Sequence, residues 1–171
     1  MPILVISKIL LVLIVTTWAI RKVLSGAPYM PTGDHHIKTM LERTAPQAGL
    51  RVVDIGAGDG RIVIAFAKAG ADAVGIEHNP LLAWWARRKI HRAGCDEKAS
   101  IRCADLWKTD FSSFDVVTLF GITHIMPKLE KKLLRELKPG ARVFSVVFKF
   151  PTWKPAWTDG YLTEYQQRNS D

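Results

Sequence analysis

Apolar residues fall into two regimes along this chain. Residues 3–20 (ILVISKILLVLIVTTWAI) are apolar almost without a break, whereas from Thr32 onward stripes at helical spacing alternate with short β-branched runs. Thr32 or Asp34 can cap a helix reaching residue 44, with Ile37, Met40 and Leu41 on one face and Pro46 and Gly49 ending it. A strand is expected at residues 50–55, then a helix over 61–69 closed by Gly70, and a second strand over 72–77. Pro80 opens a helix that runs to about residue 93, followed by Gly94. Further strands are expected at residues 100–106, 114–120 and 141–150, with a helix over 127–137 stopped by Pro139 and Gly140 and a last strand near residues 161–165. Strands separated by helices imply right-handed βαβ units. The fold class is therefore α/β, with a mostly parallel, doubly wound sheet covered on both faces.

The first segment stands apart. Its length is at the lower limit for a hydrocarbon core of about 30 Å, Lys8 can snorkel outward, and Trp18 falls where indole rings prefer to sit. Residues 1–22 are expected to be a single transmembrane anchor helix. Arg21 and Lys22 place the following domain on the cytoplasmic side, which is the bacterial inner membrane or, in a eukaryote, a mitochondrial membrane. A cleaved signal peptide would want basic residues before the apolar run, and Met1-Pro2 has none; a buried core helix would show a polar face, which this run lacks; an interfacial helix is the other alternative. Residues 23–33, with Gly26, Pro28 and Pro31, form a linker, and residues 34–171 form one domain.

Composition narrows the picture in two respects. A net charge of +8 from 24 basic residues favours anionic partners or a solvated basic surface. Cys95 and Cys103, without metal-ligand spacing, point to free structural thiols and no zinc site. His35 and His36 are adjacent on a helix and point apart, so no metal is expected. Nothing in the chain requires an oligomer, and a monomer is expected.

The candidate chemistry begins at VVDIGAGDGRIVIAFA, residues 52–67. Gly56, Gly58 and Gly60 let the chain turn sharply and let a ligand lie on bare backbone at a helix N-terminus, beyond the carboxyl ends of parallel strands. The dinucleotide spacing G-x-G-x-x-G fails at Arg61, and a P-loop's G-K-[ST] is absent. The remaining common ligand for D-x-G-x-G-x-G is S-adenosylmethionine, with the loop facing its methionine part and Asp54 near its cationic end. Glu77 closes the second strand, where a carboxylate can accept both ribose hydroxyls. Asp105 closes the third and can accept from an adenine amino group, with Leu106 and Trp107 flanking the ring.

At these residues the chain resembles the class I methyltransferases, a Rossmann-like fold. More narrowly, it is similar to the small membrane-anchored protein-lysine methyltransferases that include the mitochondrial enzymes acting on the ADP/ATP carrier and on the c subunit of ATP synthase. The likeness is carried by PYMPT (28–32), the glycine-loop segment (52–70), AVGIEHNPLLAWWAR (73–87), ADLWKTDFSSFDVVTLFG (104–121), LEKKLLRELKPGARV (129–143) and FPTWKP (150–155). The resemblance implies an S-adenosylmethionine-dependent enzyme that methylates a lysine side chain, the substrate being a protein and possibly a membrane protein. It implies cofactor contacts at Asp54, Gly56, Gly58, Gly60, Glu77 and Asp105, a lid from Tyr29 and Thr32, and a turn behind the ribose shaped by Asn79 and Pro80. With so little chain after the fifth strand, the usual sixth and seventh strands are expected to be short or absent.

A substrate nitrogen would arrive at the loop after the fourth strand, Phe120-Gly121-Ile122-Thr123. Many amino-methylating enzymes resemble [DN]PPY there, so adenine or glutamine N-methylation is disfavoured. Thr123 and His124 are weak candidates for orienting or deprotonating an amine, and no catalytic base is assigned. Trp84 and Trp85, the basic run at residues 87–92, and Trp153 and Trp157 read first as core, solvated or sheet-capping residues, with contact to RNA or lipid as the alternative for the basic run. No RNA-binding module is visible, so nucleic acid is not the expected partner. An RNA or small-molecule methyltransferase, or a non-catalytic S-adenosylmethionine-binding membrane module, are the alternatives.

Overall fold

A seven-stranded sheet organises the chain from Arg51 onward, and its strand order decides where a ligand can sit. The computed structural model describes residues 2–24, 31–121 and 123–168. Helix α1 covers Pro2–Leu24, α2 Asp34–Thr44, β1 Arg51–Ile55, α3 Arg61–Lys68, β2 Asp72–Glu77 and α4 Pro80–Arg92. Then follow β3 Ala99–Cys103, a 3-10 turn at Leu106–Lys108, β4 Val116–Phe120, α5 Met126–Glu136, β5 Arg142–Val146, β6 Trp157–Thr158 and β7 Leu162–Gln166. The order in the sheet is β3-β2-β1-β4-β5-β7-β6. The first five strands are parallel, and β7 runs antiparallel to both β5 and β6.

β1 pairs with β2 on one side and with β4 on the other, so the winding reverses between β1 and β4. All five parallel strands end on the same side, which places the turns after β1, β2 and β3 in one row. Two apolar cores flank the sheet. One gathers Val52, Val63, Phe66, Ala83, Ala86, Ile90 and Phe144 beneath α3 and α4. The other gathers Val53, Phe111, Val117, Leu129, Leu133, Val143 and Tyr165 around α5. The near-continuous apolar strands are what burial on both faces requires.

Several expectations are corrected. The sheet is not shortened as expected: β7 is five residues long and lies inside the sheet, and only β6, at two residues, is short. The third strand stops at Cys103 rather than residue 106, because Asp105 accepts from the Trp107 amide and turns the chain. The fifth stops at Val146 rather than residue 150, because Val147 takes a left-handed φ of 67° and leaves the ladder. Gly33, not Thr32 or Asp34, occupies the N-cap of α2.

For the expected transmembrane anchor, no helix among the described residues is long and apolar enough to cross a membrane. What is described is α1, whose apolar side chains between Ile6 and Val15 are 52–63% exposed. The Thr16 and Thr17 hydroxyls donate back to Val12 and Leu13 carbonyls within the helix.

Candidate functional site at the strand tips

The turn after β1 is tacked to β2: the Gly56 and Ala57 amides both donate to the Ile76 carbonyl, at 2.8 and 3.1 Å. Two of its glycines serve different ends. Gly56 has φ 77°, and a Cβ there would meet nothing within 4 Å, so the space above it is open. Gly60, also at φ 77°, would bring a Cβ to 3.2 Å from the Ala86 Cβ, so its bareness lets α3 approach α4.

Glu77 ends β2 and is 8% exposed. One carboxylate oxygen accepts from the Gly58 amide at 2.9 Å and the other from the Asn79 amide at 2.7 Å. The group thus clasps the glycine loop to the start of α4, and each oxygen keeps a further acceptor position. Asn79 caps α4, its side-chain oxygen accepting from Leu81 and Leu82 amides, with Pro80 at the first helical position. Asp105 accepts from the Trp107 amide through one oxygen at 2.9 Å, and Leu106 and Trp107 pack half-buried against the second core. Glu77 and Asp105 therefore stand at the tips of neighbouring strands.

Asp54 lies one strand inward, 3% exposed, opposite Thr118 in the β1–β4 register. The Thr118 hydroxyl donates to it at 2.7 Å. Burial, reinforced by the nearby Glu77 and Asp59 charges, outweighs that bond and pushes the Asp54 carboxyl up to about 7. A carboxyl whose pKa is raised in the folded state stabilises the fold most in its protonated form. That contribution is complete below the ordinary carboxylate pKa and is lost as pH rises through about 7. The wild-type chain is expected to lose about 2–3 kcal/mol of stability from this group between pH 5 and 8, while Asp54→Asn stays flat over that interval. Urea unfolding of both proteins across the range checks this; parallel pH curves would refute it.

Two participants were not foreseen. Thr118 is a hydroxyl in an otherwise apolar strand, and that anomaly was its signal. Asp59, 2% exposed, sits inside the glycine loop and binds Arg61 at 3.1 Å and Lys89 at 2.5 Å. Burial opposes its ionisation, but the hydrogen bonds and charges of Arg61 and Lys89 prevail and hold it down to about 2. An acid in a loop suited to anions needs a cation to hold it, and Arg61 two positions on was the available clue. Arg61 also donates to the Thr32 carbonyl at 3.3 Å, which ties the buried Thr32 to the loop.

Tyr29 lies outside the described residues. Thr123 and His124 are both exposed in the turn leading to α5, where the Thr123 carbonyl accepts from the Met126 amide at 3.4 Å. Phe120 and Phe148, at the ends of β4 and beyond β5, meet edge to face at 6.0 Å. Glu130, 3% exposed on α5, accepts from the Thr152 amide and hydroxyl and from the Trp153 amide, binding the segment after β5 back onto the helix.

Known proteins are similar to this chain in sequence and fold. The model of the ANTKMT methyltransferase domain matches residues 54–157, which run from Asp54 in β1 to Trp157, the first residue of β6. The chain belongs to this family. The rat lysine N-methyltransferase named for the c subunit of ATP synthase is 44% identical over 83% of this chain and 64% of its own length. The chain therefore spans less than two thirds of that relative. A protein-lysine N-methyltransferase of Saccharolobus islandicus is 38% identical over 75% of this chain and 81% of its own. Among solved structures, an RNA methyltransferase from Salinibacter ruber in complex with S-adenosyl-L-homocysteine is 32% identical, with a TM-score of 0.78 over 83% of this chain and 96% of that one. The matched region of this ANTKMT-family chain contains the glycine loop, Glu77, Asn79 and Asp105.

Proposed function

We propose that this chain is an S-adenosylmethionine-dependent protein-lysine N-methyltransferase. The observation that carries the cofactor assignment is the Glu77 clasp: a carboxylate fixed by the Gly58 and Asn79 amides at the tip of β2, beside open space over Gly56. The residues fit a sulfonium nucleoside. Gly56, Gly58 and Gly60 leave room for its amino-acid part, with the Asp54 carboxyl close by and Asp59 held by Arg61 and Lys89. Glu77 has spare acceptor positions for a ribose diol, and Asn79 sets the turn behind it. Asp105 and Leu106 stand where an adenine would be received, and Thr32 is held to the loop through Arg61. The lysine preference is supported by the names of the rat and Saccharolobus relatives.

When bound, the cofactor supplies an electrophilic methyl group on a sulfonium. The protein's work is then to hold a neutral amine in line with it and to keep the site dry. A lysine ammonium with a pKa of about 10.4 must shed its proton first, which burial among apolar groups favours. Phe120 and Phe148 offer such an apolar rim, and Thr123 and His124 line the approach.

The chain is further proposed to associate with a membrane through α1, with the catalytic domain on the cytoplasmic side beside Arg21 and Lys22. The exposed apolar stretch and the internally bonded Thr16 and Thr17 hydroxyls support that reading. A protein substrate within or beside the bilayer and a monomeric enzyme complete the proposal.

Incubating the purified chain with methyl-labelled cofactor and a membrane extract tests this. Label is expected on a protein band that yields methyllysine on hydrolysis. The name of the Salinibacter structure supports an RNA substrate as the second reading; label confined to RNA would select it. Cofactor binding without transfer would leave only a binding module.

A further inference from the structure

Helix α4 buries Ala83, Ala86 and Ile90 and presents the opposite face to solvent. On that face Leu81, Trp84 and Trp85 are 59%, 56% and 40% exposed, at the i, i+3, i+4 spacing of a continuous stripe. The stripe continues into Arg88 and Arg92, and the helix contains no acidic residue. A shallow groove of about 430 Å³ runs along it, lined by Trp84, Arg87, Arg88, His91 and Arg92.

The cations here are not equivalent. Lys89 is engaged by Asp59, Arg87 donates to the Ile101 carbonyl and His91 meets Asp96. Arg88 lies 4.8 Å over the Trp84 ring, and Arg92 has no ion-pair partner among the described residues. A contiguous exposed apolar stripe bordered by charge that no acidic partner engages marks an interaction surface.

We propose that this face of α4 is a docking surface for an anionic lipid bilayer, with Leu81, Trp84 and Trp85 entering the interface and Arg88 and Arg92 meeting headgroup phosphates. Indole rings favour the headgroup level, and each basic residue near an anionic surface contributes roughly fivefold in affinity. Lipid fits better than RNA for two reasons. Arg88 already covers a face of Trp84, so that ring is not an open stacking platform. Leu81 adds aliphatic surface that neither stacks nor hydrogen-bonds. Such docking does not depend on which amine the enzyme methylates. It adds to α1 a second contact that would fix how the domain sits above the bilayer.

The test uses the full chain with Leu81→Cys and Cys103→Ser, carrying an environment-sensitive dye on the new thiol, since Cys95 is buried. On phosphatidylserine-containing vesicles the dye emission is expected to shift to the blue, and on neutral phosphatidylcholine vesicles to stay water-like. In the unlabelled chain, Arg88→Gln with Arg92→Gln is expected to reduce the preference for anionic over neutral vesicles about thirty-fold, leaving cofactor affinity unchanged. A water-like dye on chain that is bound to anionic vesicles would overturn the proposal, since α1 alone would then make the contact. So would a dye shift produced by an RNA oligonucleotide and not by vesicles. Loss of methyl transfer with vesicle docking intact would count against the proposed activity and not against this surface.

Discussion

Replacing Glu77 with alanine is expected to weaken binding of S-adenosylhomocysteine by two to three orders of magnitude. The side chain has two tasks, and alanine removes both. It holds the Gly58 and Asn79 amides, so its loss leaves one buried and one partly buried donor unpaired and releases the glycine loop from α4. It is also the proposed acceptor for two ribose hydroxyls. Hydrogen bonds to a charged acceptor contribute about 1.5–3 kcal/mol each, so losing two gives a deficit of about 3–4 kcal/mol even after partial hydration. Glu77→Gln separates the tasks. It retains one acceptor oxygen and replaces the other with an amide that cannot face an N–H donor, so an intermediate loss is expected. Calorimetric titration of all three proteins measures this; affinity of Glu77→Ala within threefold of wild type would remove the site assignment.

The second large effect lies away from the pocket. Glu164→Ala is expected to destabilise the fold by about 2–4 kcal/mol. Glu164, on β7, accepts from Arg43 of α2 at 2.6 Å and from Arg142 of β5 at 2.7 Å. Arg142 also donates to the Arg43 carbonyl at 2.7 Å, and the Arg43 guanidinium lies 4.2 Å over the Trp157 ring of β6. One buried carboxylate thus joins α2 to three strands. Its removal leaves two guanidiniums facing each other with side-chain exposures of 32% and 25%, enough solvent to soften the penalty but not to cancel it. Urea unfolding gives the magnitude, and a double-variant cycle with Arg43→Ala isolates the pair. A loss below about 1 kcal/mol would show that hydration replaces the bond.

Elements whose residues follow a strict period were legible from the chain alone. The strand at Asp72–Glu77 and the helix from Pro80 agree with their expected starts, because β-branched alternation and a proline at the first helical turn are local signals. Boundaries set by a single side chain or dihedral were not. Asp105 ending β3 and Val147 leaving β5 depend on a capping bond and a left-handed φ, which no periodicity records. β6 has two residues and pairs only with β7, so its existence follows from a neighbour rather than from its own composition. The site divides in the same manner. Glycines and strand-end acids are spaced locally and could be read. The Asp54–Thr118 and Asp59–Lys89 pairs join residues 64 and 30 positions apart and come from the register of β1 on β4 and the packing of α4.

The strand order has a consequence for assembly. β7 follows β6 in the chain yet lies between β6 and β5, so among the described strands the outermost one is held to the sheet through β7. A two-residue border gives a foreign chain almost no ladder to extend, which guards that flank of the sheet against edge-to-edge stacking.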